Sequence, residues 1–337
     1  MPSLDVFRGD AFSLASLTAS INDLPRLETK LAEMRLFESK GIRTTEAWIE
    51  RRHGDLSLVQ TRPRGAPSDQ VLGDKRDALK FKLSHISQES TIYADEVQDV
   101  RRFGGEGELQ TVEEVVNERM RNMKRTIDAT IEHMRVGALK GEIRDADGSI
   151  IHDLNDEFAT SPTTATFQFS DTSAKIRRSC LAVSRTIEDE LGVEPHTGIS
   201  AICGPDFFDQ LIDHPDVRDA YARWQDGEAL RNDPRAGFQF AGIEFIEYRA
   251  KANGKTFLDP GDCLAFPQGT SLFTESYAPA DFIGAVNQIA ADDDLGLPAY
   301  ARMALDPEFE RWAKVHVQSN PLPLVLRPSI VVHVDAA

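Results

Sequence analysis

Cysteine is scarce: Cys180, Cys203 and Cys263 are the three in 337 residues, far apart along the chain and without C-x-x-C spacing. An odd, dispersed set builds neither a disulfide framework nor a zinc site, and it fits a reducing cytoplasm. Long hydrophobic runs are missing too. No segment approaches the roughly 20 apolar residues of a membrane span. The opening MPSLDVFRGDAF lacks the basic region and apolar stretch of a signal peptide, so none is expected. Positive charge is in deficit, 38 Lys and Arg against 55 Asp and Glu, for a formal net charge of −17. Gripping nucleic acid requires dense Lys and Arg to neutralise phosphates, so this balance argues against such a role. An acidic surface can still enclose DNA without binding it. With 41% hydrophobic and 28% charged residues, a soluble globular protein with one large or two modest cores is expected.

Chemical motifs are also lacking. There is no G-x-S-x-G elbow, and Phe103–Gly107 fails the G-x-G-x-x-G fingerprint. The eight histidines, among them His85, His133, His152 and His196, show no H-E-x-x-H spacing. Gly254–Lys255–Thr256 looks like the end of a phosphate loop, but Arg249 occupies the place of the earlier glycine, so a hairpin turn is the better reading. Asp145, Asp147 and Ser149 look like the start of a calcium loop. Its sixth position is Ile150 and its twelfth Asp156, where Gly and Glu are required, so this too reads as a turn. Asp292, Asp293 and Asp294 are adjacent, and three consecutive carboxylates cannot all face one ion from a regular element. No cofactor or metal is expected.

The clearest positive signal runs from residue 111 to 155. Val112, Val116, Met120, Met123, Ile127, Ile131 and Met134 recur at steps of three and four, which predicts one long amphipathic helix. Thr111 and Glu114 have capping-box spacing. The following GEIRDADGSIIHDLN predicts a hairpin with Ile143 and Ile150–Ile151 flanking a turn at Asp145, Asp147 and Gly148. Upstream, residues 1–50 read as an arm of short apolar patches with a weakly helical piece around Leu27–Phe37. Residues 56–101 read as an extended ribbon, with Leu79, Phe81 and Leu83 alternating with Lys80, Lys82 and Ser84. A ribbon of that length is poorly stable without another surface to lie on.

Downstream, Ala165–Phe169 reads as a strand. Residues 172–191 read as a helix with Ile176, Cys180, Val183, Ile187 and Leu191 as its stripe, capped by Asp171 and stopped by Gly192. Ile199–Cys203 reads as a buried strand before a helix opened by Pro205, and residues 238–266 are β-rich with a turn at Asn253–Gly254. The acidic stretch 291–298 reads as a linker. The last 23 residues offer two strand-like pieces that return to the sheet of the long helix.

The order of elements resembles a tailed-phage major capsid protein, closest to the family of the bacteriophage lambda major head protein. ALKGEIRDADGSIIHDLNDEF at 138–158, KTFLDPGDCLAFPQGT at 255–270 and the terminal VQSNPLPLVLRPSIVVHVD carry the resemblance. It implies an α+β fold of the Hong Kong ninety-seven type. Residues 1–52 would be an N-terminal arm, 53–100 an extended E-loop, and 101–170 a peripheral domain with the spine helix. Residues 171–295 would be an axial domain, and 296–337 would return to the peripheral domain. The implied function is a non-enzymatic shell subunit, assembled in the host cytoplasm into hexamers and pentamers of a virion. Scaffold, portal and decoration proteins would be partners, and double-stranded DNA would be enclosed without specific binding. Some relatives cross-link Lys to Asn; Lys75, Lys80 and Lys82 lie on the ribbon, but no Asn and Glu partners are identifiable here. Subunit contacts are expected at Arg51, Arg52, Arg62, Arg64, Lys80, Phe81, Lys82, Asp145 and Asp147, the arginines pairing with acidic surfaces of neighbouring copies. Two alternatives stand beside this reading. One is an encapsulin-like compartment; the other is a soluble enzyme with its site around Asp206, His214 and Asp292–Asp294.

Overall fold

The long amphipathic segment forms a single helix of 29 residues, Val112–Lys140, hereafter the spine. Glu113 and Glu114 lie in its first turn and Lys140 in its last, the arrangement that suits the helix dipole. The computed structural model describes residues 13–25, 27, 29–52, 76–97, 112–222, 237–282, 296–309 and 311–337. Thr111, Arg62, Arg64 and Asp292–Asp294 lie outside them.

The spine's apolar stripe serves two cores. Val116, Met120, Met123, Ile127 and Ile131 pack into an outer core with Leu17, Ile21, Val315 and Val317. Met134, Val136, Ala138 and Leu139 belong to the larger core shared with the ribbon, the hairpin and the main sheet. Leu17 and Ile21 come from a helix, Leu14–Asp23, where the sequence suggested only scattered apolar patches. Ser13 caps it, its Oγ accepting from the Ser16 amide at 3.2 Å.

Over the outer core lies an antiparallel sheet of Tyr300–Leu305, Trp312–Ser319 and Ile86–Tyr93. The extended ribbon therefore does not run to residue 100. It is the pair Glu46–Arg52 and Arg76–Lys82, and Ile86–Tyr93 is already part of the sheet over the spine. A second three-stranded sheet joins Glu38–Gly41, Phe273–Tyr277 and Pro321–Val325.

The main sheet has six strands in the order Thr163–Phe167, Val332–Ala336, Asp262–Gln268, Gly198–Cys203, Ile243–Glu247, Phe238–Phe240. Its central strands read as apolar runs because both faces are buried. The helix Ile176–Leu191 packs on it through Ile176, Cys180, Val183, Ile187 and Leu191, all buried as the spacing predicts, and it ends at Gly192 with φ 65°. It starts later than expected. The Asp171 carboxylate accepts from the amide and hydroxyl of Ser173 upstream, a local turn that competes with capping the helix. The C-terminal pieces also divide. Trp312–Ser319 returns to the sheet over the spine, but Val332–Ala336 enters the main sheet between Thr163–Phe167 and Asp262–Gln268.

Cys203 and Cys263, distant in sequence, sit opposite one another on adjacent strands with their sulfurs 3.2 Å apart. Burial pushes the Cys263 thiol up, and Cys180 is pushed up to about 12 by the same cause. The Cys180 and Cys263 thiols stay protonated core groups.

Phe81 is fully buried, with its ring 5.4 Å from Phe158 and 5.5 Å from His152. Phe81→Ala is expected to destabilise the chain by about 3–5 kcal/mol through the cavity it leaves, measured by denaturant unfolding. A loss of less than ~1 kcal/mol would show that the ribbon foot contributes little to the core.

Candidate functional site

Two arrangements in the chain do more than fill space: a buried polar seam along the spine and the foot of the ribbon on the hairpin. On the spine, Lys124, Asp128, Glu132 and Arg135 succeed one another at steps of four, four and three, forming a stripe beside the apolar one. A charged stripe of this kind normally faces water. Here it faces the N-terminal segment, which runs along it. Lys124 donates to the carbonyls of Ile21 and Leu24 at 2.7 and 2.6 Å, and Asp128 accepts from the Leu27 amide at 3.0 Å.

At the centre is a buried triad, Glu132–Arg135–Glu275. Arg135 forks onto Glu275 through Nε and Nη2 at 2.9 and 2.8 Å, and its Nη1 reaches Glu132 at 3.3 Å. Both carboxylates are fully buried. Glu132 accepts further bonds from the Thr29 hydroxyl, the Leu31 amide and the Tyr248 hydroxyl at 2.8, 3.0 and 3.2 Å. Glu275 accepts from the hydroxyls of Tyr277 and Ser39 at 2.8 and 3.4 Å. Two carboxylates around one guanidinium are tolerable in a dry interior only when such donors satisfy their lone pairs. Burial alone would lower the Arg135 pKa, but its bonds to Glu275 outweigh that and hold it above its usual value. Burial, followed by the nearby Glu132 charge, pushes Tyr248 up, so its hydroxyl keeps its proton and donates. The triad joins the arm, the spine, the strand Phe273–Tyr277 and, through Tyr248, the loop beside the main sheet.

The second arrangement explains the hairpin. Its strands, Glu142–Arg144 and Ile150–Asp153, bring His152 between the Lys82 carbonyl at 2.8 Å and the Glu157 carboxylate at 2.9 Å. Ala47, Ile49, Leu79 and Phe81 form the inner face of the ribbon, while Glu46, Trp48, Lys80 and Lys82 alternate outward. Lys80 pairs with Glu46 at 2.8 Å and lies 5.6 Å from the Trp48 ring centroid. Trp48 is 62% exposed. Phe81 faces the chain's own core, which removes it from the surface open to a neighbour. Lys80 and Lys82 remain on the outer face. Arg51 and Arg52 continue one ribbon strand, paired in register with Asp77 and Arg76.

At the hairpin tip, the Asp145 carboxylate accepts from the Ala146 amide and that of Asp147 from the Ser149 amide. Hydrogen bonds from Ser149 hold the Asp147 carboxyl below its usual range. Both carboxylates are engaged by their own turn, as a plain hairpin requires. His214 is similarly committed. Its Nδ1 accepts from the Asp216 amide, so Nε2 carries the proton and donates to the Asp171 carbonyl at 3.1 Å. Asp206 lies exposed in the first turn of the helix Pro205–Asp213. Among the described residues no group of three His, Cys, Asp or Glu side chains is placed to hold a metal ion. Sequence reading missed Glu132, Arg135, Tyr248 and Glu275. The one legible signal was a charged stripe bordering the apolar one, which ordinarily means a solvated face.

A family model for phage major capsid protein E matches residues 13–336. The chain belongs to the phage major capsid protein E family. It is similar to the major capsid protein of Salmonella phage Felix O1, 26% identical over 96% of each chain. The major capsid protein of Pseudomonas phage KPP10 is 24% identical over 97% of each. The fold of this chain is similar to that of the bacteriophage PhiM1 mature capsid, with a TM-score of 0.52 at 13% identity over 89% of this chain and 85% of the other. The fold of this capsid-family chain is thus the Hong Kong ninety-seven type that the resemblance implied.

Where the spine ends against the main sheet, a cleft of about 480 Å³ is lined by His133, Lys140, Asp259, Asp262 and His333 among others. Lys140 lies 3.2 Å from both aspartates. Burial, with Lys140 and Lys255 adding to it, lowers the His133 pKa, and burial lowers that of His333. The unfolded chain therefore takes up protons at these sites first as pH falls below about 6.5, so their stabilising contribution is present above that pH and is lost below it. The unfolding midpoint of the capsid-family chain should drop between pH 7.5 and 5.5, with a shallower slope in His133→Gln/His333→Gln; an unchanged slope excludes these two as its source. Glu275→Gln, which removes the buried carboxylate that Arg135 forks onto, is expected to cost about 3 kcal/mol. The paired change Arg135→Met/Glu275→Leu should cost less than the sum of its single changes, as a double-mutant cycle in urea would measure.

Proposed function

We propose that this chain is the repeated subunit of an icosahedral phage head that encloses double-stranded DNA, its function being assembly. The observation that carries this reading is the ribbon. Its inner face is seated on the hairpin, while its outer face presents Trp48 with Lys80 and Lys82 and finds no cover in the chain among the described residues. A two-stranded ribbon is marginal alone and gains stability by lying across another surface. In a shell that surface is the next copy, and the acidic exterior of a chain of net charge −17 suits the ribbon's lysines and the adjacent Arg51 and Arg52.

In this reading the N-terminal segment is an arm clamped to the spine by the triad, and the paired strands Glu46–Arg52 and Arg76–Lys82 belong to the E-loop. The spine, the hairpin and the sheet over the outer core form the peripheral domain. The main sheet with its helices forms the axial domain, which meets its copies in hexamers and pentamers. The same negative charge leaves packaged DNA unbound to the wall. The shell belongs to the virion, is built in the host cytoplasm, and has scaffold, portal and decoration proteins as its partners.

Electron microscopy of the expressed chain, alone and with a scaffold, should show closed shells or capsomers. Deleting residues 61–76 should abolish shells while circular dichroism reports a folded main domain. A chain that stays monomeric under every assembly condition would count against the reading, and unchanged shells from the deletion would refute the ribbon's part in it.

A further inference from the structure

All three cysteines of the chain meet in one place. Cys203 ends the strand Gly198–Cys203 and Cys263 lies near the start of Asp262–Gln268, the middle two strands of the main sheet. Cys180 belongs to the helix Ile176–Leu191 that packs on that sheet, close enough that Cys263 helps to push its pKa up. Each of the three is buried. Spacing along the chain gives no sign of this, since Cys203 and Cys263 are 60 positions apart.

The register of the sheet sets how Cys203 and Cys263 face each other. The Gly204 amide donates to the Asp262 carbonyl at 2.8 Å, which makes 204 and 262 a hydrogen-bonded pair of the antiparallel ladder. Cys203 and Cys263, one step along, are therefore a non-hydrogen-bonded pair. The Cys203 carbonyl agrees, accepting from the Tyr248 amide at 2.8 Å on the other side of its strand. In such a pair the Cα atoms stand about 4.5 Å apart and the side chains approach most closely. A disulfide requires Cα atoms about 4.4–6.8 Å apart with their Cβ atoms turned toward each other. The two sulfurs are already 3.2 Å apart, which leaves about 1 Å to close before the covalent S–S length.

We infer that Cys203 and Cys263 form a disulfide across the centre of the main sheet when the chain meets a peroxide outside a reducing compartment. One thiol loses its proton during a local opening of the sheet and attacks a peroxide oxygen. The O–O bond breaks, leaving a sulfenic acid and a hydroxide that takes up the released proton as water. The second thiol then displaces the sulfenic hydroxyl, forming the S–S bond and a second water. Two thiols and one peroxide thus become one disulfide and two waters, the sulfurs giving up the two electrons that the peroxide gains. Burial keeps the proton on Cys263, so the reaction is slow in the folded chain and proceeds through its openings. Cys180 is the thiol left over, because it sits on the covering helix rather than opposite either partner in the ladder. The bond closes a loop of 60 positions that contains the helices Pro205–Asp213 and Pro215–Ala222, and it stabilises by restricting the unfolded chain. It belongs to the single chain, so it stands whether or not copies assemble.

The test treats the full, folded chain with excess hydrogen peroxide at neutral pH and quenches it with catalase. The chain is then unfolded in a thiol-blocking maleimide and mapped by mass spectrometry without reduction. Cys180 should be the one blocked thiol, and a linked peptide should join Cys203 to Cys263, lighter by two hydrogens than its two halves. The oxidised chain should melt about 5 °C above the reduced one, and a phosphine reductant should reverse the rise. Cys203→Ala treated alike should give neither the linked peptide nor the rise, and it reports any effect of peroxide on the methionines. Cys180→Ala should keep both. Three blocked thiols after treatment, a link through Cys180, or sulfinic acid in place of the link would overturn the assignment. The map of the unsubstituted chain decides this without any variant. A linked peptide with no rise over treated Cys203→Ala would overturn the bond as a brace for the sheet.

Discussion

The cluster Glu132–Arg135–Glu275 fixes how the N-terminal segment, the spine and a strand far along the chain sit on the apolar cores they share. Arg135 and Glu275 are 140 positions apart, and each of the two carboxylates is saturated by donors from separate segments. Burying three charges that sum to −1 costs heavily unless every lone pair is met, and here the Thr29 hydroxyl, the Leu31 amide and two tyrosines meet them. Apolar packing alone would let the N-terminal segment slide along the spine. Hydrogen bonds with fixed directions give it one register. The outer core, the path of the arm and the entry into the ribbon all follow from that register.

The ribbon shows the same division of labour. Its inner face belongs to the chain, through Phe81 on Phe158 and His152 on the Lys82 carbonyl. Its outer face, with Trp48, is left over once the chain is folded. A subunit whose work is contact between copies needs segments only half satisfied on their own, and such segments need a rigid foot. The hairpin supplies that foot. Its DADG turn is held by its own groups, each carboxylate accepting from a backbone amide of the turn.

Much of the fold was legible because it is local. The spine, the stripe of Ile176–Leu191, the strand ending at Cys203 and the helix opened by Pro205 follow from periodicity and capping, and hydrogen bonds a few residues apart enforce them. The turn at Asn253–Gly254, with φ of 50° and 77°, is likewise a property of those two residues. Errors gathered where partners are remote. Ile86–Tyr93 looked like more ribbon, since nothing within it names Trp312–Ser319 as its neighbour. Val332–Ala336 looked like a return to the spine, since an apolar strand fits either sheet. Leu14–Asp23 was missed because a helix of ten residues has too few turns to show its period clearly.

Composition and pattern alone determined that this is a charged, acidic chain built on one long helix with a hairpin at its end, and the order of elements was enough to place it with phage capsid proteins. Those properties are written in each residue's own chemistry and in its near neighbours. Which polar side chains matter was decided only in three dimensions. Glu132 and Arg135 have the sequence signature of a wet helix face, yet a strand far along the chain closes over them. Burial turns such groups from solvated charges into a directional lock, and burial depends on the whole fold rather than on any window of it. The same dependence assigns Phe81 to the core and gives the hairpin its use: it is where the ribbon stands.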